Sequence, residues 1–265
     1  MNILITGGAG YLGSKLIHLL INHSQVKRLV IFENFTTGNK NIFRGLHDER
    51  ISVLEGDLLN SLDVEFGLRK IDLIIHLAAI SHTPLSGGVE KNIIKVNAWG
   101  TENILKAAIK YNVKKIIFSS TITINGAIDQ DGKVYNDNNA FSRSKRIAEE
   151  LLMEAFHKNK INIEILRFGT LYGISPLMNF STFVNKMAFD AAIDKRIVIL
   201  GNGIQKRVVT SIEKASFEIL KYLELNSQTK INEIYDNIIS PAEIAQIVSE
   251  ELPNVNQYST DQDNL

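Results

Sequence analysis

The run NILITGGAGYLGSKL at residues 2–16 constrains the fold more than any other stretch of this chain. A short apolar segment of strand character meets Gly7, Gly10 and Gly13 at GxxGxxG spacing, and a helix-periodic segment begins at once. Glycine lets the backbone turn tightly and lets it approach a charged group closely. A helix start adds unpaired N–H groups and the positive end of the helix dipole, both of which suit phosphate oxygens. The same glycines could form a turn that binds nothing. Their position between a strand and a helix favours a dinucleotide pyrophosphate, with Gly7, Gly10, Tyr11, Leu12 and Gly13 as the expected contacts.

Glu33 closes the next apolar run, RLVIFE, about twenty residues beyond the turn. An acidic side chain there accepts hydrogen bonds from ribose hydroxyls and repels a 2′-phosphate, so NAD is expected over NADP, with Glu33 and its neighbour Asn34 at the ribose. Arg28 begins this strand instead of following it and is poorly placed to receive a phosphate.

The rest of the chain repeats the alternation of short Ile/Leu/Val/Phe-rich runs with longer amphipathic segments that a parallel sheet buried on both faces requires. Strands are expected at Asn2–Thr6, Arg28–Glu33, Ile51–Glu55, Leu73–Leu77, Lys115–Ser119 and Ile163–Phe168, with helices near Gly10–Asn22, Leu62–Arg69, Ile93–Tyr111 and Ser142–Asn159. Beyond Gly173 the rhythm changes. Helices are expected at Phe180–Ala192, Glu213–Leu223 and Pro241–Leu252, strands at Ile197–Leu200 and Glu233–Ile238, and a polar, fraying tail after the last helix. The expected fold class is α/β, a Rossmann-type doubly wound parallel sheet with a small substrate lobe. Residues 1–170 would form the dinucleotide domain, 205–223 would return to it, and 171–204 with 224–265 would form the lobe.

Lys+Arg and Asp+Glu balance at 29 each, so no basic field points to nucleic acid, and the absence of cysteine excludes disulfides and thiolate metal sites. No metal-ligand spacing stands out among the acidic and histidine residues, and no metal is expected. With no secretory leader and no apolar run of about 20 residues, a soluble cytoplasmic protein without membrane contact is expected.

Together these residues resemble the extended short-chain dehydrogenase/reductase family, the NAD-dependent epimerases and dehydratases typified by UDP-glucose 4-epimerase. The resemblance is carried by TGGAGYLG, FENFTTGNK, EGDL (Glu55–Leu58), HLAA (His76–Ala79), VNAWGTENIL (Val96–Leu105), FSSTITING (Phe118–Gly126), SRSKRIAEE, LRFGTLYG (Leu166–Gly173) and GNGIQKR (Gly201–Arg207), in the family's order. It implies that Asp57 and Leu58 lie beside the adenine, that Leu77, Ala78 and Ala79 line the cofactor floor, and that Asn97 holds helix geometry near the active site. It also implies that Thr121 is the catalytic Ser/Thr, that Lys145 binds the nicotinamide ribose, and that Arg207 contacts the diphosphate of a nucleotide-linked substrate. A homodimer through the helices at 93–111 and 142–159 is implied as well. On the residues alone, the lesser alternatives are a turn cap for Thr121 and a solvated helix lysine for Lys145, and the charge-rich 142–154 segment reads as a solvated face. His76 reads as a satisfied core histidine.

One departure is central. Phe141 stands four residues before Lys145, where the family has its catalytic tyrosine, and a benzene ring has no proton to give. Tyr135, Tyr172 and His82 are candidate replacements, His82 also as a substrate contact. Thr170 replaces the asparagine of the family's RxFNxxG-like segment, and Val208 and Ser211 replace the aspartate and histidine of an RDxxHxDD-like run. Relatives continue for several tens of residues past the last helix, so a shortened lobe is expected. The reading is an NAD-dependent epimerase, dehydratase or reductase acting on a nucleotide sugar or related hydroxylated metabolite; the alternative is a non-catalytic NAD-binding sensor, scaffold or partner subunit.

Overall fold

Runs such as NILIT and RLVIFE become central strands because each alternate side chain finds a helix-covered apolar layer on its own side of a sheet. The computed structural model describes residues 1–81, 89–128, 134–135, 139–158, 160–224 and 231–260. The chain begins β1 (Asn2–Thr6), α1 (Tyr11–Ile21), β2 (Arg28–Glu33), β3 (Ile51–Glu55), α2 (Ser61–Gly67) and β4 (Leu73–His76). It continues through α3 (Val89–Ile94), α4 (Gly100–Lys110), β5 (Lys115–Thr121), the short pair β6 (Ala127–Ile128) and β7 (Val134–Tyr135), α5 (Ala140–His157) and β8 (Asn162–Phe168). The remainder comprises β9 (Thr170–Tyr172), α6 (Phe183–Asp194), β10 (Arg196–Leu200), β11 (Arg207–Ser211), α7 (Ile212–Glu224), β12 (Ile231–Ile234), β13 (Asn237–Ile239), α8 (Pro241–Glu251) and β14 (Asn256–Thr260).

Seven strands form one parallel sheet in the order β3-β2-β1-β4-β5-β8-β12. This is the expected Rossmann-type doubly wound arrangement, and the strand order reverses beside β1, which places a crevice at the carboxyl ends of β1 and β4. Leu4, Phe32, Ile74, Ile116, Phe118 and Ile163 pack on one side with Ala148 and Leu152 of α5. Ile3, Ile5, Ile31, Ile75, Ile117 and Leu166 pack on the other with Leu16 of α1 and Ile219 of α7.

The sequence expectation fails where pairing is long-range. The strand expected at 233–238 is two strands, β12 in the large sheet and β13 antiparallel to β11. The break falls at Asp236, whose carboxylate accepts from the Ser211 backbone and whose N–H donates to the Val209 carbonyl. Residues 231–234, expected in the lobe, therefore lie at the edge of the large sheet. The polar stretch expected to fray forms β14, parallel to β10 over Arg196–Leu200. Backbone ladder bonds hold it, together with Ser259 Oγ on the Gly201 carbonyl at 2.8 Å and Val255 packed on the lobe core.

The lobe combines β9, β11 and β13 with α6 and α8 around Met187, Ala191, Ile197, Val209 and Ile244. Ser240 and Glu243 form a reciprocal capping box at the start of α8, with Pro241 in its first turn. Ser14 and Ser175 share a 2.8 Å hydroxyl contact, Ser175 donates to the Tyr11 carbonyl at 2.7 Å, and the Tyr11 phenol donates to the Gly173 carbonyl. The start of the lobe is thereby fastened to the start of α1.

Candidate active site

The glycine turn follows from three different steric demands. Gly7 adopts φ +70°, and a Cβ there would lie 2.7 Å from the Ala78 backbone. A Cβ on Gly13 would overlap the Gly7 carbonyl and lie 2.7 Å from Gly8 Cα, so this glycine lets α1 press against the turn. A Cβ on Gly10 would meet only the Gly7 carbonyl, at 3.1 Å. No side chain caps α1 at Gly10 and no acidic residue sits in its first turn, whereas Asn60, Asn139 and Ser240 cap α2, α5 and α8. The start of α1, with Tyr11 and Leu12 behind Gly10, thus fits an anionic group that takes up its first amides.

Glu33 ends β2 beside this turn and is buried. One carboxylate oxygen accepts from the Ala9 N–H at 3.2 Å, the other from Asn34 and Phe35 at 3.0 and 3.2 Å. A carboxylate offers about four acceptor positions, so ribose hydroxyls could still be received. At the end of β3, Asp57 accepts from the Leu59 N–H at 2.9 Å, and buried Leu58 packs where a Cβ on Gly100 would come within 2.9 Å. Leu77, Ala78 and Ala79 leave β4 alongside the turn, with the Leu77 and Ala78 amides donating to the Thr6 carbonyl and hydroxyl, both at 3.2 Å.

Behind that floor lies a fully buried polar chain. Thr101 donates to the Asn97 carbonyl at 2.6 Å, so its oxygen receives the His76 Nε2 proton at 2.9 Å, while Thr6 Oγ1 lies 2.6 Å from His76 Nδ1. Burial, reinforced by the nearby Lys145 charge, lowers the His76 pKa to about 3, and both ring nitrogens are satisfied as expected of a core histidine. Asn97 lies in a π-helical turn, Lys95–Trp99, that interrupts the helix expected at 93–111. Its amide accepts from the Ile80 N–H at 2.8 Å and donates to the Ile80 carbonyl and to Ser144 Oγ at 3.0 and 2.9 Å. Asn97 therefore ties the loop after β4 to α5.

Thr121 ends β5. Its hydroxyl receives the Thr123 N–H at 3.2 Å as a turn cap and meets Thr123 Oγ1 at 2.9 Å, which in turn meets Ser142 Oγ at 2.8 Å. The Thr121 side chain thus acts as the turn cap that its residue type suited. Lys145 is only 3% exposed and donates to the Ser119 carbonyl at 2.7 Å. Its Nζ lies 4.5 Å from the Phe118 ring centroid and 5.9 Å from that of Phe141. Burial lowers its pKa to about 7 against the opposing pull of Glu149. The expectation of a solvated face for 142–154 fails here, because Ser142, Ser144, Lys145 and Glu149 are all buried.

Residues 3–236 match the model of the NAD dependent epimerase/dehydratase family. The chain belongs to that family. A dTDP-D-glucose 4,6-dehydratase of Dictyostelium discoideum is 27% identical over 82% of this chain, which spans 55% of that relative's length. UDP-glucuronic acid decarboxylase 3 of Arabidopsis thaliana is 26% identical over 94% of this chain and 74% of its own. The structure of UDP-glucose 4-epimerase from Thermotoga maritima with UDP-glucose superposes with a TM-score of 0.85 at 22% identity, covering 100% of this chain and 87% of that one, a likeness of fold.

Sequence reasoning missed the side chain that ties α5 to β5 and β8. Glu149, one turn beyond Lys145, receives Arg167 Nε at 2.9 Å, Arg167 Nη2 at 2.6 Å and the Ser120 hydroxyl. Arg167 also donates to Asn125 Oδ1 at 2.9 Å. The available signal was the placement of Glu149 between Ala148 and Leu152 on the buried stripe.

The other candidates scatter. Tyr172 donates to Asp236 at 3.4 Å, and burial with that carboxylate raises its pKa, so its phenol is directed into the lobe. Thr170 opens β9 opposite Val209. Exposed Arg207 opens β11 with its guanidinium 5.9 Å from the Phe183 ring centroid. The Tyr135 backbone pairs with Ala127 just beyond the Thr121 turn, its side chain lies outside the described ones, and His82 lies outside the described residues.

Proposed function

We propose that this chain is an NAD-dependent enzyme of the epimerase/dehydratase type acting on a nucleotide sugar or a related hydroxylated metabolite. The observation that carries this reading is the placement, at the carboxyl ends of β1 and β5 on either side of β4, of an uncapped α1 start and buried Thr121, with buried Lys145 of α5 bonded to β5. Gly7, Gly10, Tyr11, Leu12 and Gly13 would hold the pyrophosphate, Glu33 and Asn34 a ribose, Asp57 and Leu58 the adenine, and Leu77, Ala78 and Ala79 the floor. Lys145 would hold the nicotinamide ribose, on a helix that Asn97 aligns. Bound there, NAD supplies a hydride acceptor that can give the hydride back. Thr121 would orient the reacting oxygen, with Thr170 and Arg207 toward the nucleotide end of the substrate. A homodimer through α4 and α5 draws support from exposed apolar side chains on these segments, Trp99 just before α4 and Ile147 on α5. No helix among the described residues is long and apolar enough to cross a membrane.

Calorimetric titration with NAD and NADP, followed by turnover of UDP-glucose and related nucleotide sugars, tests the reading. NAD should bind more tightly than NADP, and Thr121→Ala should lower turnover by about 10²–10⁴-fold while NAD binding survives. Failure to bind NAD would sink the proposal. Phe141 favours a second reading, an NAD-binding sensor, scaffold or partner subunit. It would stand if NAD binds, no nucleotide sugar turns over, and Phe141→Tyr changes nothing.

A further inference from the structure

We propose that the Lys145 amine, standing where a phenol is missing, carries the proton at this active site. The proposal rests on the NAD-dependent reading above and assigns to Lys145 a role beyond holding a ribose.

Elimination among the described groups leads to it. Phe141 has no exchangeable proton. Thr121, Thr123 and Ser142 form a chain of neutral hydroxyls, and an aliphatic hydroxyl does not store a proton reversibly near neutrality. His76, facing Lys145 from β4, is held neutral with both nitrogens occupied. The Tyr11 phenol donates to Gly173 and that of Tyr172 to Asp236, and burial raises both pKa values. Glu149, on the same helix as Lys145, is taken by Arg167 from β8 and Ser120 from β5.

Lys145 differs from all of these. Its Nζ is buried at the carboxyl end of β5, between the Phe118 and Phe141 rings, and donates to the carbonyl of Ser119, two residues before Thr121 on the same strand. An ammonium has three donors, and Ser119 takes one. No carboxylate among the described residues hydrogen-bonds it. Cation–π attraction to Phe118 moderates the desolvation cost without removing it, so burial holds the amine well below the usual lysine range, toward the range acid–base catalysis needs.

The proton balance closes. The neutral amine would take the hydroxyl proton as the electron pair of the substrate C–H bond leaves as hydride, for which a bound nicotinamide dinucleotide would be the acceptor, and a carbonyl would form. On return of the hydride to carbon, the ammonium would give that proton back to oxygen and the amine would be regenerated.

The first test is ¹³C NMR titration of lysine-labelled protein without nucleotide, with Lys145→Met to assign the resonance. The Lys145 signal should titrate near neutrality; a signal that stays charged beyond about pH 9 overturns the proposal, whatever calorimetry says about NAD. The second uses the absence of native cysteine. Lys145→Cys should lower turnover by about 10²–10⁴-fold, and alkylation with 2-bromoethylamine should restore an amine of lower pKa and move the pH–rate limb down with it. A limb that survives Lys145→Cys, or one that vanishes in Tyr135→Phe or His82→Asn, overturns the proposal. Loss of NAD binding in the unaltered protein would instead remove the functional reading itself.

Discussion

Arg167→Met probes the buried pair that fixes α5 against the sheet. Arg167 makes a two-pronged contact with Glu149, at 2.9 and 2.6 Å, and the Glu149 side chain is 6% exposed. Methionine fills much of the same volume but leaves that carboxylate with Ser120 as its remaining side-chain donor. Removing one partner of a buried pair costs about 3–5 kcal/mol, because the other charge stays desolvated. That is a large share of the ~5–15 kcal/mol by which a typical domain is stable. At roughly 2–4 °C per kcal/mol for a chain of this size, Tm should fall by roughly 6–20 °C. Replacing both partners, as Glu149→Leu with Arg167→Met, removes the orphaned charge and should recover most of the loss. Urea denaturation followed by circular dichroism reads all four corners of the cycle. A single variant costing less than about 1 kcal/mol, or a double variant no more stable than Arg167→Met, would refute the argument that the cost lies in the stranded carboxylate.

Two further substitutions test the turn and a buried titration. Gly13→Ala places a Cβ against the Gly7 carbonyl and Gly8 backbone, neither of which can rotate away, so it should cost about 1–3 kcal/mol and weaken NAD binding in calorimetry; unchanged values of both would contradict the packing role. Glu164, on β8, has no hydrogen-bond partner for either oxygen among the described residues, and burial raises its pKa from 4.5 to about 7 against the pull of Lys115. The stability its proton brings is fully present below pH 4.5 and is lost as pH rises to about 7. Glu164→Gln should therefore abolish that slope and be more stable than the parent at about pH 8, and urea midpoints at about pH 5 and pH 8 that run parallel in the two proteins would refute it.

The large sheet was legible because each of its inner strands is a nearly continuous apolar run, and the turn at Gly7–Gly13 because glycine spacing there has steric consequences that few other contexts share. The small sheets were legible only in part, through Ile197–Leu200, which lies in β10. Thr170–Tyr172 and Arg207–Ser211 are short and mixed in polarity, and they become strands only because Thr210 and Asp236 join them across long sequence separations. Asn256–Thr260 reads as tail because it carries little apolar material, and backbone pairing with β10 is invisible to a hydrophobic pattern. The π-helical turn at Asn97 was not legible, since it is a change of backbone hydrogen bonding one turn long that no residue type marks. Charge misled at Glu149, which sits with Lys145 on the stripe of α5 that packs inward.

That stripe explains how the site keeps its shape with phenylalanine at position 141. Along one face of α5, Ser144 is bound to Asn97, Lys145 to Ser119, and Glu149 to Arg167 and Ser120. None of these contacts passes through the side chain at 141. The helix is held from the loop after β4, from β5 and from β8 at once, so its position does not depend on the side chain at 141. What changes is the electrostatic company of Lys145: with no phenol before it and its nearest carboxylate committed to an arginine, its charge is governed by burial between two phenyl rings. Acid–base work by Lys145, as proposed above, would therefore require no change in this scaffold, and Phe141→Tyr should alter the pH dependence of turnover more than it alters the fold.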